Sequence, residues 1–180
     1  MSLFIKSNSK KSKKYKNKYI QIKGIQGKVK KFDTNLYNMY DVEARKIIYN
    51  IFGDNVKDNE NIYGEDMIFT IKPFPYEYLE IQVMGTWNTN IFPYDRPFVY
   101  ARKMKFSLKT LFITFNKFYT EFIIFSRKSI IDKPERLKKY DREMVNFVPW
   151  KNSIKSTIDQ LSLNLIRMYC GEYVDENSDN

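Results

Sequence analysis

Apolar and polar positions along this chain follow two periods, and the changes between them mark the elements. Val42, Ile47, Ile48 and Ile51 recur at helical spacing behind Asp41, a natural N-cap, and Gly53 stops the run. A polar stretch, Asp54 to Gly64, reads as a loop. Met67 to Ile71 then predicts a strand, halted by Pro73 and Pro75, and Tyr78 to Val83 predicts a second. In that second strand Leu79, Ile81 and Val83 share one face, while Tyr78, Glu80 and Gln82 share the other. Gly85 to Pro97 is irregular, and Phe98 to Phe106 fits either a short helix or a strand. Thr110 to Phe115 and Glu121 to Ser126 predict a hairpin turning at Asn116-Lys117.

Beyond Pro134 a mixed-charge stretch reads as a short solvated helix. Val145 to Val148 reads as a strand closed by Pro149-Trp150. Ser153 to Tyr169 predicts an amphipathic helix with Ile154, Ile158, Leu161, Leu165 and Met168 as its buried stripe. Near the start, Tyr19 to Lys23 suggests a short strand turning at Gly24 and Gly27 toward Val29. Helix, strands and helix in this order predict an α/β or α+β fold with a central mixed sheet flanked by helices. The expected division is a basic arm over 1–31, one domain over 32–172 and a frayed tail over 173–180.

Composition changes this picture in three ways. The chain has 180 residues and 43% hydrophobic content, which supports one ordinary core. No run approaches the ~18 apolar residues of a membrane span, and the first residues run into lysines rather than a signal sequence. With a single cysteine, Cys170, an intracellular setting (nucleus, cytoplasm, viral factory or virion) is expected. The wealth of Lys, Asn, Ile, Tyr and Phe matches A/T-rich codons and is compatible with a large DNA virus.

Charge is segregated. Residues 1–31 hold eleven lysines and no acid, leaving 20 basic residues against 21 acidic ones in the remainder. Ser7 to Lys18 cannot bury enough apolar surface to order itself. Its Lys10, Lys11, Lys13, Lys14, Lys16 and Lys18 suit the phosphates of nucleic acid, with DNA the expected partner, and Lys10 to Lys14 equally suit a nuclear-import signal.

The chain has no histidine. That excludes imidazole-based nucleases, Ser-His-Asp and Cys-His hydrolases, and histidine zinc sites. Metal chemistry here must use carboxylates and carbonyls, which favour Mg²⁺ or Mn²⁺. There is no phosphate-binding glycine loop of nucleotide hydrolases.

Three carboxylates are placed for such a site. Glu43 lies in the first turn of the early helix, where the helix dipole also favours an acid. Asp66 opens the strand at Met67, and also reads as a turn residue. Glu80 sits mid-strand with Gln82 beside it, and also reads as a solvent-facing residue. The aromatics Phe112, Phe115, Phe118, Tyr119, Phe122 and Phe125 have strand spacing and read mainly as core. Arg127-Lys128 closes a strand as a solvated end or a phosphate contact.

The segment Gly64-Glu65-Asp66-Met67-Ile68-Phe69 followed by Leu79-Glu80-Ile81-Gln82-Val83 resembles the PD-(D/E)xK nuclease superfamily, restriction-endonuclease-like proteins. Their core is a helix, a strand meander, another helix and a further strand. The likeness runs from Asp41 to Val83 and more loosely to Ser126. It implies that Asp66 and Glu80, with the Ile81 carbonyl and Glu43, hold Mg²⁺ or Mn²⁺. The metal-activated hydroxide would then attack a phosphodiester. Where the family carries lysine this chain has Gln82, so the resemblance calls for a displaced cation, Lys103 or Arg102. It leaves a non-catalytic nucleic-acid-binding module of the same fold as the alternative.

Overall fold

The computed structural model describes residues 35, 37–61, 64–137 and 144–170. The arm, its six named lysines, the Tyr19 to Lys23 strand and the tail lie outside the described residues. A π-turn over Tyr37–Asp41 leads directly into α1, Val42–Phe52. Asp41 makes no side-chain cap bond. Gly53 closes the helix at φ 55°, a backbone state that favours glycine, and its N–H bonds to the Tyr49 carbonyl.

The strands are β1 Val56–Asp58, β2 Met67–Phe69, β3 Tyr78–Met84, β4 Phe98–Tyr100, β5 Thr110–Asn116, β6 Glu121–Ser126, β7 Glu135–Arg136, β8 Met144–Phe147 and β9 Ile154–Thr157. A final helix, α2, spans Leu161–Cys170. Six strands make one sheet in the order β1-β2-β3-β5-β6-β9, and β4-β8-β7 make a smaller one. In the larger sheet β3 and β5 run parallel, with Tyr78 opposite Thr110 and Met84 opposite Asn116. The other neighbours are antiparallel.

Strand alternation sorts the core into two clusters. Leu79, Ile81, Leu111, Ile113, Phe115, Phe122 and Ile124 pack with Ala44 and Ile48 of α1 and with Leu161 and Leu165 of α2. Met84, Phe112, Ile123 and Phe125 point the other way, against Val99, Val145 and Trp87. Every residue of β5 is buried, as a strand covered on both faces requires. The protein is therefore α+β with a mixed central sheet. Both described α-helices contribute to the same cluster, and the small sheet lines the opposite one, where flanking helices were expected.

Several elements differ from the sequence expectation. The polar loop contains β1, which is stabilised by pairing with β2 rather than by any local pattern. The first predicted strand ends at Phe69, because Thr70 and Ile71 leave the ladder before Pro73. Phe98 to Phe106 resolves both ways, as β4 followed by a 3₁₀ turn over Ala101–Lys105. The stretch after Pro134 begins with β7 rather than a helix. Ile154 belongs to β9 instead of a long helix: it pairs with Ile124 of β6, and the helix starts only at Leu161. No described helix is long and apolar enough to cross a membrane.

Candidate active site at the β2–β3 strand pair

The register of β2 on β3 sets Met67 against Leu79, and one step further brings Asp66 opposite Glu80. The two acids singled out in the sequence thus stand on neighbouring strands. One Asp66 oxygen, Oδ2, accepts the Ile81 backbone N–H at 3.0 Å. The other, Oδ1, accepts from Arg45 Nη2 at 3.0 Å. Arg45 Nη1 also donates to Asp58 Oδ1 at 2.7 Å and to the Asp66 carbonyl at 3.2 Å. One guanidinium from α1 therefore ties the end of β1 to the start of β2.

Glu80 lies on the face of β3 turned away from the helices and is only 3% exposed. Its Oε1 meets Lys103 Nζ at 2.7 Å. A carboxylate this deeply buried needs a counter-charge, and the 3₁₀ turn at Ala101–Lys105 delivers it. Gln82 follows two residues on, half-buried on the same strand face. Glu65 is a fourth carboxylate nearby. Its Oε1 accepts the Ser107 N–H at 2.9 Å and the Thr110 hydroxyl at 2.7 Å, which fastens the entry to β2 to the start of β5.

Lys103 is thus brought to the site, whereas Glu43 is not. Glu43 sits on the exposed face of α1 and pairs with Lys46 at 2.9 Å. This corrects its placement with the other two acids: at one residue before the buried Ala44 and Arg45, its side chain is exposed and paired within the helix. Among the described residues no three acidic or sulfur side chains converge as a ready metal group. Asp66 and Glu80 remain as hard oxygen donors on adjacent strands, a pair that fits Mg²⁺ or Mn²⁺ in kind. With Asp58 and Glu65 they make four carboxylates against two cations, Arg45 and Lys103, a formal balance of −2.

Arg102 and Arg127 lie close to this centre. The Arg102 guanidinium stacks over the Tyr100 ring at 4.3 Å. Arg127 donates from Nη2 to the Met104 carbonyl at 2.6 Å, binding the turn at Arg127–Ser129 to the one that carries Lys103. The exposed cations on these two turns are Lys105 and Lys128, whereas Arg127 is partly buried. Arg45, Asp58 and Glu65 escaped the sequence reading. Arg45 interrupts an apolar stripe, where a buried charge is the one signal that could have exposed it.

No protein-family model, curated protein or solved structure matches this chain.

Proposed function

We propose that this protein processes nucleic acid, hydrolysing phosphodiesters at the Asp66–Glu80 strand pair. The observation that carries the reading is the 2.7 Å contact between Lys103 and Glu80. It supports Lys103 as the replacement for the lysine that the restriction-endonuclease-like pattern requires where Gln82 stands. The order helix, three-strand meander, crossover and further parallel strand also supports the likeness, although the crossover carries β4 and a 3₁₀ turn in place of a helix.

In this reading Asp66 and Glu80 would hold Mg²⁺ or Mn²⁺, which when bound activates water and offsets charge on the phosphate. Lys103 presents its ammonium to the developing negative charge of the phosphoryl oxygens. Gln82 orients water through its amide. The arm lysines Lys10, Lys11, Lys13, Lys14, Lys16 and Lys18 hold the DNA backbone by charge.

The test is cleavage of labelled single- and double-stranded DNA with Mg²⁺ or Mn²⁺ against EDTA. Asp66→Asn, Glu80→Gln and Lys103→Met should each reduce cutting by at least ~100-fold, the scale of losing an electrostatic catalytic group, with folding checked by circular dichroism. Equal cutting by wild type and all three variants would remove the site.

One observation favours a second reading, a nuclease-like module that binds without cutting. Both Asp66 oxygens already have donors, Arg45 and the Ile81 N–H. Binding that weakens with salt, with no metal-dependent cleavage, would select it.

A further inference from the structure

The tip of the β5–β6 hairpin presents an aromatic ring to solvent where turns ordinarily carry Gly, Asn or Asp. Phe118 is 58% exposed, although Phe115 and Phe122 on either side are fully buried. The turn beneath it is firmly built. The Tyr119 N–H bonds to the Asn116 carbonyl, and Asn116 Oδ1 accepts the backbone N–H groups of Thr120 and Glu121. Asn116 Nδ2 donates to the Thr120 hydroxyl at 2.8 Å. Tyr119 holds φ 58°, an uncommon state for a residue with a side chain. Its hydroxyl reaches the Met39 and Tyr40 carbonyls at 3.2 and 2.9 Å. The ring at Phe118 is therefore carried outward on a fixed platform, and the Lys117 ammonium lies 5.6 Å from its centre.

The same platform fastens the chain a few residues after the lysine-rich segment. The eleven lysines of residues 1–31 precede Met39 in the sequence by eight positions or more. A simple phosphate patch is a poor description of it. Asp41 and Glu43 lie close enough to act on Tyr119, and Glu121 is in the adjoining strand, paired with Lys155. A flat apolar ring beside one lysine suits a base face instead, because stacking is indifferent to phosphate charge.

We infer that Phe118 is a stacking platform for an unpaired nucleic-acid base, with Lys117 contacting the adjacent phosphate. This rests on the nucleic-acid reading above and adds to it a preference for single strands. Along the sheet the tip stands beyond Asn116, the partner of Met84, and Met84 itself lies four residues, about 13 Å along the strand, from Glu80.

The experiment uses the full chain and fluorescein-labelled oligo(dT), oligo(U) and a duplex of equal length, read by anisotropy across a salt series. Phe118→Ala should weaken single-strand binding about tenfold, within the range for loss of one stacked base, while leaving the salt slope unchanged. Phe118→Trp should retain binding. Lys117→Ala should reduce the slope by about 0.7, the value for one phosphate contact on a single strand. Duplex binding should respond little to Phe118→Ala. The oligo(dT) and oligo(U) arms report which sugar is accepted. Unchanged single-strand affinity in Phe118→Ala, or an equal loss on duplex, overturns the inference. If wild type still binds and cuts in that case, the proposed function stands without it. If wild type binds none of the three probes, both readings fall.

Discussion

Lys103 reaches Glu80 only after the chain has left β3, crossed an irregular stretch and passed through β4. Nothing in the spacing of E-x-Q announces that partner; it is the need of a buried carboxylate for a counter-ion that makes a nearby lysine legible. The pair sits at 3% and 14% side-chain exposure, so removing one member strands the other. Lys103→Met should destabilise the fold by about 3–5 kcal/mol, whereas Glu80→Leu combined with Lys103→Met should recover most of the loss. Urea denaturation of the three proteins measures it, and an effect below ~1 kcal/mol would mean the pair behaves as a surface one. Asp66 and Glu80 were readable because each abuts an apolar strand. Arg45 and Glu65 were not, since a charge at the edge of a helix stripe or a strand mouth ordinarily faces water.

At the scale of elements, the longest and most periodic segments were the readable ones. α1, β3 and the β5–β6 hairpin fall within a residue or so of their expected spans. β1 and β9 were hidden because three or four residues carry little intrinsic preference, and cross-strand partners decide their state. Ile154, Ile158, Leu161 and Leu165 keep helical spacing by accident across a strand, a turn and a helix. The hairpin also clamps the entry to α1 through Tyr119. Burial, then the negative charges of Asp41 and Glu43, push the Tyr119 hydroxyl up to about 12. An unfolded tyrosine ionises near ~10, so the folded form keeps its proton longer. The resulting stability is present in full below about pH 10 and is lost as pH rises through about 12. Tyr119→Phe should abolish that part of the slope and lose roughly 1 kcal/mol from the hydrogen bonds to Met39 and Tyr40 at neutral pH. Urea midpoints for both proteins between about pH 9 and pH 12 test the sign; identical slopes would refute it.

For the molecule as a whole, charge and fold divide the work. The candidate site on the six-stranded sheet has few exposed cations, whereas residues 1–31 hold eleven lysines and no acid. Replacing Lys10, Lys11, Lys13, Lys14, Lys16 and Lys18 by serine should reduce the salt slope of single-strand binding by up to about 4, at about 0.7 per phosphate contact. Filter binding at several salt concentrations measures it, and an unchanged slope would move the electrostatic grip to the domain. The coarse class, a mixed sheet with helices, followed from the order of periodic segments. The second small sheet did not, because β4 meets β8 only across 45 positions or more and β7 is just two residues long.

The parallel pairing of β3 with β5 joins residues 32 positions apart, so the centre of the sheet closes late in folding compared with the antiparallel β1–β2–β3 meander. Until it closes, Glu80 has no Lys103 beside it, and the polar face of β3 stays wet. A nascent chain that has produced only the meander therefore carries both acids without the cation that completes them. Under the proposed function, the Glu80–Lys103 pair would be complete only once the crossover through β4 is made.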